Sequence, residues 1–206
     1  MDGLIEILMD YDFNNIIRVN NDHSRSNDLI YLIDDNYVLK ISNDIENLRY
    51  EYDVCKKLSL YINVGKALEF RIIDNKAYFL RTMLNGLDLA CDEYLNRPFL
   101  LIDILADAIN KLHSIDINNL VNIHDYKNGN VLVHGDFCLP NVIVNDDKFY
   151  GLIDLSNVGI GDPWYDYAWA IWSLEYNLKT DKYTKYLLDK LNIIFDKEKY
   201  DFYINN

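Results

Sequence analysis

The chain is short of cysteine, of positive charge and of long apolar runs, and each shortage excludes something. Three cysteines, Cys55, Cys91 and Cys138, are an odd number with no C-x-x-C pair. That argues against a disulfide framework and against a structural zinc site. Lys and Arg number 20 against 33 Asp and Glu, a net charge of −13. Binding nucleic acid or an anionic membrane surface calls for clustered Lys and Arg, so neither partner is expected. A cationic small molecule is compatible with this balance. No run approaches the roughly 20 apolar residues that cross a bilayer. The best candidate, Pro98 to Ile109, is broken by Asp103 and Asp107. The start, Met1-Asp2-Gly3-Leu4-Ile5-Glu6, has neither the basic region nor the apolar core of a signal peptide. A cytoplasmic protein is the expectation. Half of the 206 residues are hydrophobic, too many for a disordered chain and enough for one large domain or two small lobes.

Patterning along the chain suggests two lobes. LIYLI (29–33) and YVLKI (37–41), separated by Asp34-Asp35-Asn36, read as a hairpin. A helix is expected from about Asp44 to Leu60, because Ile45, Leu48, Tyr52 and Cys55 recur at helical spacing and Asn43 with Glu46 resembles a capping box. ALEFRII (67–73) and AYFLRTM (77–83) form a second hairpin pattern around Asp74-Asn75-Lys76. Residues 98–114 then read as a helix, with Leu101, Ile104, Leu105, Ala108 and Leu112 on its apolar face. Short β segments follow at 131–134, 141–144 and 149–154, and helices from about Pro163. The expectation is an α+β chain with a β-rich lobe over 1–84 and a mainly helical lobe over 85–206.

The segment from Val131 to Asp166 carries the chemistry. It contains H-G-D-x-x-x-x-N, formed by His134, Gly135, Asp136 and Asn141, and then Ile153-Asp154. Asp136 is expected on a tight loop between two strands, Asn141 at the start of the next strand, and Asp154 at the end of the strand after it. Asn and Asp oxygens are hard ligands suited to Mg²⁺, and a nearby carboxylate can take a proton from a hydroxyl. One base, two metal ligands and a nucleotide make the layout of a kinase. Such a reaction also needs a cation on the phosphates. Lys40, inside an apolar strand, needs a partner, which Glu51 on the following helix, or Glu46 nearer its start, can supply.

These residues resemble a family. His134-Gly135-Asp136 with Asn141, and Ile153-Asp154 with Gly159, Asp162 and Asp166, are similar to the signature of the aminoglycoside phosphotransferases. HGDFCLPN, GLIDL, DPWYDYA and LHSIDI look most like the 3'-phosphotransferases among them. The resemblance implies a two-lobed protein-kinase-like fold and transfer of the γ-phosphoryl group of ATP or GTP, with Mg²⁺, to a hydroxyl of a cationic aminocyclitol antibiotic. It implies Asp136 as general base, Asn141 and Asp154 as Mg²⁺ ligands, Lys40 on the phosphates and Glu51 as its ion-pair partner. Ser24 and Ser26 match the phosphate-covering loop, and Thr82 to Leu84 match the hinge whose backbone groups bond adenine. The seventeen residues Ile117 to Val133 stand where those relatives carry a longer helical insert that walls the acceptor pocket, and the chain also stops early at Asn206. A different small alcohol, choline- or sugar-like, and a catalytically inactive nucleotide-binding protein are therefore alternatives.

Other residues have plainer readings. His134 is expected to pack beneath the loop of Asp136, and Asp162 and Asp166 to brace that loop. Trp164, Ala168, Trp169, Trp172 and Tyr176 follow helical spacing and are expected to form a core face. Glu175 could meet a cationic substrate or solvent.

Overall fold

The computed structural model describes residues 13–19 and 28–205. The chain divides into two compact units, one of residues 1–60 and 64–84, the other of residues 61–63 and 85–206.

The described part of the first unit is an antiparallel sheet with one helix. The strands are β1 (Ile16–Val19), β2 (Leu29–Ile33), β3 (Tyr37–Ser42), β4 (Ala67–Ile73) and β5 (Lys76–Thr82), in the order β1-β2-β3-β5-β4. Alternation decides which side chains go where, because successive residues of a strand face opposite sides. Leu39 and Ile41 pair with Leu80 and Tyr78 across β3 and β5, and these four join Ile33 in one buried cluster. Lys40 pairs with Phe79 and is thereby turned to the other face, where helix α1 (Ile45–Leu58) packs. Tyr52 of α1 meets Phe79 edge-on at 5.5 Å. The helix is shorter than its apolar spacing predicts. Its N-cap is Asp44, whose side chain accepts the Asn47 N–H, and not Asn43. Strand β1 has no counterpart in the expected pattern. Its residues Ile16 and Ile17 are exposed at the sheet edge, so no alternation marks it.

The second unit is built around helix α3 (Pro98–His113), after β6 (Leu87–Asp88) and the short α2 (Asp92–Leu95). Pro98 starts α3, where its missing N–H costs nothing. Burial goes further round α3 than the expected face: Ile102, Ala106 and Ile109 are buried as well. Two small sheets follow among the described residues. One joins β6 to β9 (Val142–Asn145) and β10 (Lys148–Leu152) in the order β10-β9-β6. The other places β11 (Gly159–Gly161) between β7 (His124–Asp125) and β8 (Val131–Val133). Helices α4 (Trp164–Leu178), α5 (Thr184–Leu191) and α6 (Lys197–Asn205) complete the unit. On α4 the expected core face is only partly buried. Trp164 and Ala168 are in the core with Ile171 and Leu174, whereas Tyr176 is 58% exposed and stacks on Trp172 at 5.1 Å. The buried arc turns toward the small residues Ala168, Ala170 and Ser173, which allow close packing.

Candidate active site

In the first unit, Lys40 Nζ lies 2.8 Å from Glu51 Oε2, with the two side chains 15% and 5% exposed. Glu46 is exposed in the first turn of α1, so the ion pair falls to Glu51. A third charge was not foreseen. Asp28 Oδ2 stands 3.6 Å from Lys40 Nζ, and this residue directly precedes β2, where nothing in the sequence marks it as a lysine partner. Ser24 and Ser26 lie outside the described residues. At Thr82 to Leu84, the Thr82 N–H donates to Lys66 O and the Met83 N–H to Asn36 O. The Leu84 N–H makes no hydrogen bond among the described residues, and so of the three amides it is the one left for a ligand.

In the second unit, β8 delivers His134, Gly135 and Asp136 to a loop fixed from behind. Asp166, at the start of α4 and fully buried, accepts the N–H of His134 at 2.9 Å and that of Gly135 at 2.9 Å. His113 Nε2, from the end of α3, lies 2.8 Å from the same carboxylate. Asp166 thus braces the loop by direct bonds, while Asp162 accepts the N–H of Trp164, the first residue of α4, and pairs with Lys199 of α6. Gly135 has φ +77°, and a Cβ there would collide with Asn157 O. Only glycine takes that turn without strain. His134 is buried, and its Nε2 donates to Ile153 O at 3.0 Å. It packs edge-on against the buried Phe137, as a structural residue does.

Beyond Asp136 the chain turns tightly. The Cys138 N–H donates to Asp136 O, and the Leu139 N–H donates to Ser173 Oγ of α4 at 2.9 Å. Ser173 has no mark in the sequence that would give it this role. Asn141 closes a 3-10 turn over Leu139–Asn141, so β9 begins one residue later than its pattern suggests. Its side-chain amide donates to Asp136 O at 2.9 Å and to Asp136 Oδ2 at 3.2 Å. That arrangement uses the amide nitrogen and leaves Asn141 Oδ1 as an acceptor. Asp154 does not end a strand: it lies two residues beyond β10, exposed and left-handed at φ 60°, and starts another 3-10 turn. Asp is among the few non-glycine residues that tolerate this conformation. The Ile153 N–H donates to Asn141 O at 3.0 Å, so the backbones next to Asn141 and Asp154 are joined. Asp136, Asn141 and Asp154 therefore occupy one loop cluster. Glu175 accepts a hydrogen bond from Thr184 Oγ1 at 2.6 Å, which ties it to the start of α5.

The donor set fits a hard divalent cation in one respect. Asn141 Oδ1 and the Asp154 carboxylate are oxygen donors on backbone segments joined by the Ile153 N–H to Asn141 O bond. Among the described residues no three His, Cys, Asp or Glu side chains converge as a self-sufficient metal cage. Mg²⁺ is usually held by one or two protein groups plus phosphate oxygens and water.

Comparison with known proteins agrees with the geometry. The sequence matches the Phosphotransferase enzyme family over residues 124–203, which include the whole loop cluster. It is 28% identical over 203 residues to a protein of Lactococcus lactis described as a probable aminoglycoside 3'-phosphotransferase, covering 75% of this chain and 75% of that one. It is 25% identical over 221 residues to an aminoglycoside 3'-phosphotransferase of Enterococcus faecalis, covering 82% and 83%. Among solved structures, aminoglycoside phosphotransferase APH(3'')-Id from Streptomyces rimosus superposes with a TM-score of 0.78 at 18% identity, over 98% of this chain and 95% of that one. In sequence the chain is similar to aminoglycoside 3'-phosphotransferases, and its α+β fold is like that of a solved aminoglycoside phosphotransferase.

Proposed function

We propose that this protein is a small-molecule kinase that moves the γ-phosphoryl group of ATP or GTP to a hydroxyl of an aminoglycoside. The observation that carries the reading is the loop of Asp136. Its backbone is pinned by the buried Asp166, and its carboxylate is held on one side by Asn141. A carboxylate so placed accepts the proton of an acceptor hydroxyl while that oxygen attacks phosphorus. Asn141 Oδ1 and Asp154 are the residues that would hold Mg²⁺, which when bound neutralises charge on the nucleotide phosphates. Lys40 supplies a fixed positive charge for the α- and β-phosphates, and the buried Glu51 keeps that ammonium in place. Ser24 and Ser26, which lie outside the described residues, are the sequence's match to a phosphate-covering loop. Adenine is bonded by the Thr82 to Leu84 backbone, with the Leu84 N–H as donor.

The relatives support the acceptor class. APH(3'')-Id has been solved with ADP and streptomycin, and another neighbour with GDP and kanamycin. The acidity of this chain, −13 overall, suits a polycation. Use of a nucleoside triphosphate suits a cytoplasmic protein. No helix among the described residues is long and apolar enough to cross a membrane. The test is transfer of ³²P from γ-labelled ATP and GTP to a panel of aminoglycosides, with choline and neutral sugars alongside. Label on an aminoglycoside is the expected result. Label on choline or a sugar alone, or on nothing, contradicts it.

A further inference from the structure

Three tyrosines form a row that starts beside the loop of Asp136: Tyr126 touches Tyr165, and Tyr165 touches Tyr203. Tyr126 directly follows β7, and its N–H donates to Ile160 O of β11. Its ring lies along β11, where Gly159 and Gly161 leave the space. Any Cβ at Gly159 would collide with the Tyr126 ring, and one at Gly161 would touch Tyr126 Cβ at 3.4 Å. The phenol oxygen donates to Asn157 O at 2.8 Å, the same carbonyl that forces residue 135 to be glycine. The far end of the ring is thus fastened one residue away from the base. Tyr165 of α4 meets Tyr126 edge-on at 5.2 Å, and Tyr203 of α6 stacks on Tyr165 at 5.1 Å and 22°. Lys199 on α6, paired with Asp162 at 2.6 Å, holds that helix in register. Burial first, then the Asp166 and Asp136 carboxylates, push the Tyr165 phenol up, which sets this ring in the field of the base. Tyr126 remains 37% exposed, and Tyr165 and Tyr203 are partly exposed.

We propose that Tyr126, Tyr165 and Tyr203 are the acceptor platform of the kinase, an aromatic row that holds the ring and ammonium groups of a cationic amino sugar beside Asp136. The proposal rests on the phosphotransferase reading and adds what recognises the acceptor. A ring with ammonium substituents matches such a surface twice. Its ammonium groups are drawn to aromatic faces, and its C–H faces pack on them. The charge is complementary too: neither Asp136 nor the exposed Asp125 next to Tyr126 forms an ion pair among the described residues. The short segment Ile117 to Val133, which supplies Tyr126, thereby contributes an acceptor contact.

The experiment is steady-state kinetics of the full chain with kanamycin and ATP. Tyr126→Leu and Tyr203→Leu keep the apolar bulk and remove the ring face, and each is expected to raise the acceptor KM about three- to thirty-fold. The ATP KM should move less than twofold. Tyr126→Phe and Tyr203→Phe keep the face and should restore the acceptor KM to within twofold of wild type, which a loss of packing alone would not do. Should a Leu variant fail to fold, Tyr126→Trp decides: a larger face keeps or lowers the acceptor KM, and a rise of tenfold contradicts the platform. Folded Leu variants with the wild-type acceptor KM overturn the platform while leaving the phosphotransferase reading intact. No transfer by the wild type to any aminoglycoside overturns both.

Discussion

Replacing Asp166 by Ala should destabilise the second unit and displace the loop of Asp136. The carboxylate accepts two backbone N–H bonds, from His134 and Gly135, and faces His113 Nε2. His134 and Asp166 are both fully buried, so no solvent takes over when the acceptor is removed. An unsatisfied buried donor costs about 1–3 kcal/mol, so two orphaned amides cost about 2–6 kcal/mol before any loss from His113 is counted. Against a typical domain stability of about 5–15 kcal/mol, the variant should be marginal. Asp166→Asn separates the acceptor from the charge. Its amide oxygen can still accept from both N–H groups and its nitrogen can face His113. The loss should then be the difference between charged and neutral hydrogen bonds, about 1–2 kcal/mol. Urea unfolding followed by circular dichroism measures all three proteins. The reasoning is refuted if Asp166→Ala unfolds within about 0.5 kcal/mol of wild type, the level of an ordinary surface change. It is also refuted if Ala and Asn are indistinguishable, because the argument depends on the remaining acceptor oxygen.

Lys40→Met leaves Glu51 buried beside Asp28 with no cation between them. Glu51 is buried and Lys40 part-buried, so breaking the pair should cost up to the roughly 3–5 kcal/mol of a fully buried one, and Lys40→Met with Glu51→Gln should recover most of the loss, as thermal unfolding of single and double variants will show. A double variant no more stable than Lys40→Met would contradict the pairing. Cys55 is buried, and burial pushes its thiol up to about 11. Because only the thiolate attacks, Cys55 should resist iodoacetamide at pH 8 in the native protein while the partly exposed Cys91 and Cys138 react. Mass spectrometry of the alkylated peptides reads this directly, and equal labelling of all three would contradict it.

How much of this was legible before the structure varies by residue, and the reason is the range of the interactions. Both hairpins of the first unit were legible as apolar runs on either side of Asp34-Asp35-Asn36 and Asp74-Asn75-Lys76, whereas the face that carries Lys40 is set by the β3–β5 register, with Leu39 and Ile41 in the core. Glu51 was legible as its partner because helix and strand adjoin in sequence. Asp28 was not, since its place beside Lys40 depends on the β2–β3 register. The loop residues Asp136, Asn141 and Asp154 stood out by spacing. Their backbone states did not: the left-handed Asp154 and the 3-10 turn before β9 are set by bonds between loops. Helix α4 shows the limit of periodicity. Trp169, Trp172 and Tyr176 share a spacing, yet small residues govern its packing and leave the aromatic edge partly exposed. Tyr126 was invisible in the sequence, because its position comes from a parallel β7–β11 pairing across more than thirty residues.

The central claim is that Asp136 is the base of a phosphoryl transfer to an aminoglycoside. The most direct measurement is the initial rate of labelled phosphate transfer to kanamycin by the wild type and by Asp136→Ala, both shown to be folded. Removal of a general base should lower kcat by about 10²–10⁴-fold while the nucleotide still binds. Equal turnover by Asp136→Ala would contradict the account.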